Sequence, residues 1–251
     1  AMKKIIAIMG AVSEEIAGIK KAMDISKRVR LRKSEAWPGK WLGKDIVLVR
    51  TGIGKKRAKE ATCQVIEKFQ PGVIISLGYA GALIEGLKVG DLFVAKTILS
   101  SKVGSTSFEM KGSESLKWLE LAKKTPVPEN TQLKVGGLLT VEKVVHLPKA
   151  KKDLGNRFEA EAVEMETLEI SLLACEKNIA FISVRAISDA VDHELIDSSS
   201  FLRKDGEISK LKAGWYVLKH PKSIKNALSL QSHTKLATQN LTEFIAKLVS
   251  N

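Results

Sequence analysis

Short, almost uninterrupted apolar runs constrain the fold of this chain more than any other feature of its sequence. They occupy residues 4–9, 45–50, 72–77 and 179–184. A strand that is covered on both faces has such a composition, and parallel strands are covered in this way because helices connect them. A helical pattern does follow the second run, over residues 56–69. We therefore predict an α/β fold with three layers, α/β/α, around a central mixed and twisted sheet.

Shorter patterned segments lie between and after these runs. Residues 28–32 and 35–42 are predicted to form hairpin strands, with Pro38-Gly39 and Gly43-Lys44 marking turns. Two further strands are predicted over residues 92–99 and 133–140, and a helix over residues 113–124. Hairpins inserted into an alternation of strands and helices favour a mixed sheet over a purely parallel one.

Length and charge limit the organisation and the partners of the chain. The 251 residues are predicted to form a single domain, 1–251, with a helical C-terminal extension from about 195 to 251. The formal net charge of +13 makes acidic partners worth considering. However, the basic residues are spread through the chain, and no recognisable nucleic-acid motif accompanies them. We therefore expect a solvated basic surface and no nucleic-acid partner.

The cysteines and the apolar segments indicate the cellular compartment of the protein. Cys63 and Cys175 lie in predicted apolar helices without a metal-like or redox-like spacing, so they are expected to be buried thiols in a reducing compartment. The N-terminal apolar run has no cleavage-site pattern, and no apolar stretch is long enough to span a bilayer. The sequence therefore predicts a cytoplasmic protein without a bound metal or cofactor.

Residues 162–167 place two carboxylates, Glu164 and Glu166, between apolar residues just before a predicted helix. Acidic side chains are seldom fully buried. In a first helical turn they are usually solvated and compensate the helix dipole. Residues 185–189, however, end a buried strand with the polar residues Arg185, Ser188 and Asp189, and polar groups at such strand ends face the ligand crevice of an α/β sheet. This combination favours a ligand site over a solvated helix start.

Glycine-rich segments follow two of the predicted strands. Residues 51–54 form a strand-to-helix turn, whose N–H groups can bind an anion. Residues 78–82 are predicted as a loop whose glycines allow close approach of a ligand. The same glycines also permit tight turns and tight packing, so neither segment identifies a site alone. Near the N-terminus, Ser13 is predicted to cap a helix with Glu14 and Glu15 in its first turn.

These segments occur in an order that resembles the nucleoside phosphorylase/nucleosidase superfamily. The matching strings are residues 8–11 with Glu15, 51–55, 78–81, 162–167 and 184–189, and the match covers roughly residues 4 to 192. The chain most resembles the methylthioadenosine/S-adenosylhomocysteine nucleosidases. From Lys210 onward it is similar to the tail of the hopanoid-associated branch. The resemblance implies a homodimer that hydrolyses the N-ribosidic bond of a small purine nucleoside, such as methylthioadenosine or S-adenosylhomocysteine.

The resemblance also implies roles for individual residues. Asp189 matches the general acid that protonates purine N7, and Ser188 would orient it. Such an acid must carry a proton before the bond breaks, and burial favours that form of a carboxyl group. Glu15 matches the residue that activates water, and Glu166 the acceptor of hydrogen bonds from the ribose hydroxyls. Arg185 is expected to supply a supporting charge, and Met165 to lie beneath the sugar. The other matched positions are expected to contact the nucleoside: Glu164, Tyr79, Ala80, Gly81, Val145 and His146.

Some positions depart from the nucleosidase pattern. Tyr79 replaces a serine, and Val145 replaces an aromatic residue that stacks on adenine. His146, the next residue, is also typical of a helix start. These departures leave the base and the 5′ substituent open. Ser76 stands where the purine phosphorylases carry arginine, and phosphate needs charge-assisted donors. Water is therefore favoured over phosphate as the nucleophile, while Arg50 or a neighbouring subunit keeps phosphorolysis open.

Two further alternatives concern the class of protein and its tail. A non-catalytic nucleoside-binding protein would require a broken catalytic set, yet Glu15, Glu166 and Asp189 are all present. The tail is predicted to form helices over residues 210–219 and 221–249. Their basic and apolar residues either pack on the core or make a peripheral membrane contact that admits a lipid-linked, adenosylhopane-like nucleoside.

Overall fold

The computed structural model describes residues 5–102, 107–195 and 222–251, and for residues 222–230 it describes only the helical backbone. Within these ranges a mixed sheet of 11 strands is accompanied by six helices. The strands are β1 Ile6–Gly10, β2 Asp24–Ile25, β3 Val29–Arg30, β4 Glu35–Trp41, β5 Lys44–Arg50, β6 Val73–Ala82, β7 Leu92–Ser100, β8 Phe108–Glu109, β9 Leu133–Thr140, β10 Ala162–Glu164 and β11 Ala180–Asp189. The helices are α1 Ser13–Ala22, α2 Lys55–Phe69, α3 Ser113–Lys124, α4 Pro148–Phe158, α5 Thr167–Glu176 and α6 Lys222–Ser250. The predicted α/β class is confirmed.

The apolar runs form the centre of the sheet. The strand order is β10-β9-β7-β11-β6-β1-β5-β4-β2, with β3 beside β4 and β8 beside β7. Strands β5, β1, β6 and β11 are the four predicted runs, and each pairs in parallel with its neighbour in this order. Strand β10 pairs with both β9 and β6, so this half of the sheet closes on itself. The closure brings the acidic segment after β10 to the carboxyl ends of the parallel strands.

Strands β6 and β11 extend further than the sequence predicts. Residues 78–82 were predicted as a loop, but they continue β6 and pair with β11, with Gly78 opposite Arg185. A Cβ atom on Gly78 would lie 2.4 Å from Arg185 Nη1 and 2.6 Å from Glu15 Oε1. The glycine therefore makes room for two charged side chains that cross its strand, and the loop prediction was wrong.

The predicted turn at Pro38-Gly39 was also wrong. Strand β4 runs through both residues and pairs with β5, while β2 pairs with its other edge at Gly39. A Cβ atom at Gly39 would lie 2.2 Å from the carbonyl oxygen of Asp24, so glycine permits the two backbones to approach. The predicted turn at Gly43, where φ is +73°, is confirmed.

Three local predictions for helices need correction. Cys63 and Cys175 are exposed, because other residues form the buried faces of their helices, including Ala61 in α2 and Ala174 in α5. Ser13 is the first residue of α1, and Val12 precedes it as the N-cap. Glu15 occupies the first turn, as predicted, and is buried.

Helix α6 packs on α1 and β11. Leu241, Phe244 and Leu248 are fully buried, which confirms the predicted core packing for this part of the tail, whereas Leu236 is 44% exposed. The predicted helix over residues 210–219 and its basic, apolar surface lie outside the described residues. The single domain spanning 1–251 therefore stays a prediction. Among the described helices, none is long and apolar enough to cross a membrane.

Candidate active site

A cavity of about 610 Å³ opens beyond the carboxyl ends of β1, β5, β6 and β11. This is the position at which α/β sheets bind ligands. Most residues predicted for the site line this cavity: Glu15, Tyr79, Ala80, Gly81, Val145, Glu164, Met165, Glu166, Ser188 and Asp189. The closed half of the sheet thus brings together segments that are far apart in the sequence.

Glu15 is held rigidly at the start of α1. Its Oε2 atom accepts hydrogen bonds from the N–H groups of Ala11, at 2.6 Å, and Val12, at 3.0 Å. Its Oε1 atom accepts one from the N–H group of Tyr79, at 2.9 Å. Burial raises the pKa of Glu15, while Arg185 and these N–H groups oppose the rise. Because a carboxylate oxygen has two lone pairs, Oε1 keeps one for a ligand or a water molecule.

Glu164 organises the acidic segment by accepting hydrogen bonds within the protein. Its Oε2 atom accepts from the N–H groups of Glu166 and Thr167 and from the Thr167 hydroxyl, at 2.6–2.9 Å. Its Oε1 atom accepts from the Thr140 hydroxyl at 2.6 Å. Although Glu164 lines the cavity, these contacts make it chiefly the support that fixes Glu166.

Arg185 lies beneath the carboxylates and is buried. Its Nη2 atom donates to the hydroxyl of Ser76 at 2.5 Å and to that of Thr167, and it lies 3.5 Å from Glu164 Oε2. Arg185 therefore places a buried positive charge beside Glu164, and its supporting role stays a prediction. Ser76, the position that carries arginine in the phosphorylases, instead accepts a hydrogen bond from this buried guanidinium.

Glu166 accepts a 2.6 Å hydrogen bond from the N–H group of Gly54, in the turn before α2. The predicted anion-binding turn thus binds a carboxylate of the protein itself. Burial, together with the charges of Glu164 and Glu15, raises the pKa of Glu166 to about 8, although the Gly54 N–H group and Arg185 oppose the rise. Burying the carboxyl groups of Glu15, Glu164 and Glu166 close together costs electrostatic free energy. Shifted pKa values of this kind cluster at functional sites.

Glu166→Gln is expected to stabilise the free protein increasingly as the pH rises. The raised pKa means that the folded wild type loses stability between pH 4.5, the ordinary value for this group, and about 8, and the amide removes that loss. One pKa unit corresponds to about 1.4 kcal/mol, so the gain has an upper limit of roughly 5 kcal/mol. Urea unfolding at pH 5.5 and pH 8.5 measures it. A difference between variant and wild type that does not change with pH would contradict the burial of an ionisable Glu166.

Asp189, at the end of β11, is buried and held from two sides. The Ser188 hydroxyl donates to its Oδ1 atom at 2.7 Å, as predicted for an orienting residue. Its Oδ2 atom accepts a 2.5 Å hydrogen bond from the ammonium of Lys151, which is fully buried. Lys151 was not predicted from the sequence. The available signal was its place on the inward face of α4, four residues before the buried Gly155.

The wall beside Asp189 is aliphatic. Val145 lines it as predicted, but without the flat surface that an aromatic residue would offer to a base. Other aliphatic residues complete the wall: Val141, Val144, Val163 and Leu195. His146 does not line the cavity, and its carbonyl accepts a hydrogen bond from the N–H group of Leu195 at 2.9 Å. His146 therefore positions the segment after β11 through its backbone.

Helix α6 closes another side of the cavity, which the sequence did not predict. Thr234 lines the cavity, and the Thr238 hydroxyl is hydrogen-bonded to that of Tyr79. Burial raises the pKa of Tyr79 above its usual range. The tyrosine that replaces serine therefore anchors α6 to the site. Within the described ranges, no group of three or more His, Cys, Asp or Glu side chains is arranged to hold a metal ion.

Comparisons with known proteins agree with this geometry. Residues 5–210 match the Phosphorylase superfamily. The 5′-methylthioadenosine/S-adenosylhomocysteine nucleosidase of Staphylococcus epidermidis is 31% identical over 211 residues, which are 79% of this chain and 92% of that protein. A 5′-methylthioadenosine/S-adenosylhomocysteine nucleosidase from Neisseria meningitidis has been solved in complex with methylthio-immucillin-A. Its structure matches with a TM-score of 0.76 and 25% identity over 98% of this chain and 99% of that chain.

The futalosine hydrolase of Helicobacter pylori has a TM-score of 0.75 over 99% of this chain and 98% of that chain, and at 22% identity this likeness shows the fold alone. The resemblance inferred from the ordered motifs is confirmed by the family match and by the nucleosidase relatives. The chain belongs to the Phosphorylase superfamily and, within it, to the family of the 5′-methylthioadenosine/S-adenosylhomocysteine nucleosidases.

Proposed function

We propose that this protein is an N-ribosyl hydrolase that releases adenine from a nucleoside such as methylthioadenosine or S-adenosylhomocysteine. The observation that carries the proposal is the convergence of Glu15, Glu166 and Asp189 on one cavity, each held by hydrogen bonds. Breaking an N-ribosidic bond requires an acid for the leaving base, a base for the nucleophile and anchors for the sugar. The three carboxyl groups fill these roles.

In the proposed reaction, the proton of Asp189 passes to purine N7 while the electron pair of the bond between C1′ and N9 moves onto the base. The sugar acquires oxocarbenium character, so C1′ is open to attack by water, and the attacking water must lose a proton as it bonds. Glu15, whose Oε1 atom keeps one lone pair beyond its bond with the Tyr79 N–H group, accepts a proton as the water oxygen bonds to C1′. Glu166 holds the ribose hydroxyls, and Met165 contacts the sugar.

Water is the nucleophile that suits this site. A phosphate dianion would face the carboxyl groups of Glu15, Glu164 and Glu166. The Nη2 atom of Arg185 already donates to Ser76 and Thr167 and lies 3.5 Å from Glu164. Arg50 lines the cavity but bonds Glu35 at 2.9 Å. A water molecule needs only an acceptor, and the carboxylates provide it.

A panel of nucleosides tests the proposal. Purified protein is incubated with methylthioadenosine, S-adenosylhomocysteine, adenosine and inosine, and release of the free base is followed by HPLC. We expect the adenine thioethers to be cleaved fastest, with the aliphatic base wall around Val145 tolerating some inosine. Tight nucleoside binding without base release would instead identify a nucleoside-binding protein.

Glu166→Gln should reduce cleavage of ribonucleosides far more than cleavage of their 2′,3′-dideoxy analogues. Hydrogen bonds from the ribose hydroxyls favour the carboxylate form of Glu166 when the nucleoside is bound, and an amide accepts weaker ones. We expect a loss of about 100-fold in kcat/KM on the ribonucleoside and less than about threefold on the dideoxy analogue. Equal losses on both substrates would remove Glu166 from the sugar site.

We further propose that the protein works as a cytoplasmic homodimer. The family resemblance supports the assembly, and the two free cysteines, Cys63 and Cys175, fit a reducing compartment. Sedimentation at micromolar concentration tests the first point. A monomer that retains full activity would contradict it.

A further inference from the structure

Lys151 is a fully buried cation beside the proposed acid. Its side chain has no exposed surface, and it projects from α4 toward the end of β11. Its ammonium donates to Asp189 Oδ2 at 2.5 Å, to the carbonyl of His193 at 2.8 Å and to that of Ala190 at 3.0 Å. All three N–H donors of the ammonium are therefore used.

Burying this ammonium is costly unless its pairing serves a purpose. Breaking a buried ion pair is strongly destabilising, but replacing such a pair with packed apolar groups is often neutral or favourable. Stability alone therefore does not explain why a lysine should occupy an inward position of α4. The distinguishing fact is which oxygen it holds: Lys151 engages Oδ2 of Asp189, while Ser188 engages Oδ1.

We propose that Lys151 is a positioning residue for the acid: it donates to Oδ2, so that the proton of Asp189 lies on Oδ1 and faces the leaving base. This inference rests on the proposed hydrolysis. In the step concerned, the proton leaves Oδ1 for purine N7, the electron pair of the C1′–N9 bond moves onto the base, and the negative charge stays on Asp189. Lys151 keeps its own protons throughout.

The same lysine also ties the acid to the wall of the cavity. The carbonyls of Ala190 and His193 belong to the segment that follows β11, and Leu195 of this segment lines the cavity. A merely structural lysine would act only through that segment, and its loss would affect every substrate equally. A lysine that assists proton donation matters only when the leaving group needs a proton.

The test compares two leaving groups on one sugar. Methylthioadenosine loses adenine, which needs a proton at N7, whereas a 4-nitrophenyl riboside with the same 5′-methylthio group loses a nitrophenolate, which needs none. For Lys151→Met we expect kcat on methylthioadenosine to fall about 100-fold with KM within about threefold, and kcat on the nitrophenyl riboside to stay within about threefold. Lys152→Met, at an exposed neighbour on the same helix, should leave both rates unchanged.

Each outcome decides a separate point. Equal losses on both substrates, or no loss on methylthioadenosine, would overturn the role of Lys151 while leaving the hydrolase intact. A wild-type protein that cleaves neither substrate would overturn both the hydrolase and this inference. If the methionine variant does not fold, Lys151→Gln provides the same comparison, because it retains N–H donors for the carbonyls but carries no charge.

Discussion

Asp189→Asn is expected to lower the turnover of methylthioadenosine by about 1,000-fold, within the range that general acid catalysis supplies. The amide keeps the shape of the side chain and can still meet the Ser188 hydroxyl, but it has no acidic proton to give to the base. Nucleoside affinity, measured by calorimetry, should stay within about tenfold because the sugar contacts are unchanged. A variant that retains more than about a tenth of the wild-type rate would contradict the assignment of Asp189.

The buried lysine calls for a control in this experiment. Asp189→Asn leaves the Lys151 ammonium without its carboxylate, and removing one partner of a buried pair costs about 3–5 kcal/mol. The double variant with Lys151→Met removes that cation and should regain most of the lost stability while remaining inactive. Inactivity in a variant that unfolds normally assigns the loss to chemistry rather than to folding.

Glu15→Gln is expected to produce a loss of similar size, about 100- to 1,000-fold in kcat. The amide oxygen can still accept the N–H groups of Ala11 and Val12, so the start of α1 should remain intact, but the NH2 group faces the Tyr79 N–H group and cannot accept a proton from water. Glu114→Gln is a matched control, since Glu114 lies in the first turn of α3 and is exposed. We expect that control to match the wild type.

The pH dependence adds a second readout for Glu15. Because burial raises its pKa, the wild-type rate should begin to fall, as the pH decreases, at a higher pH than an ordinary glutamate would cause. Glu15→Gln should lose this acidic limb along with its activity. A Gln variant that keeps more than about a third of the rate, with an unchanged acidic limb, would assign the base to another group.

The central fold was predictable because strands that are buried on both faces are almost entirely apolar in sequence. The apolar runs became the parallel strands, and α3 and β9 have the predicted bounds. The extension of β6 through residues 78–82 was not predictable, because glycine usually marks a turn. Here it marks a close crossing of side chains, and only the positions of Arg185 and Glu15 reveal this.

The main acidic residues of the candidate active site were predictable from the sequence, but several of the contacts that hold them were not. The motifs led to Glu15, Glu166 and Asp189 because their order matched a family. Lys151 was missed because one lysine in a basic helix resembles its solvated neighbours until the helix is docked. The contact between the Gly54 N–H group and Glu166 was missed for a similar reason, since it joins distant segments.

Hydrolysis is tested most directly by the sugar product of methylthioadenosine turnover, with and without phosphate. In phosphate-free buffer we predict equimolar adenine and free 5-methylthioribose, at a rate that added phosphate does not increase. The carboxylates Glu15 and Glu166, which face the nucleophile and the sugar, are the physical reason for this independence. A rate that requires phosphate, with 5-methylthioribose 1-phosphate as the product, would contradict the hydrolytic site.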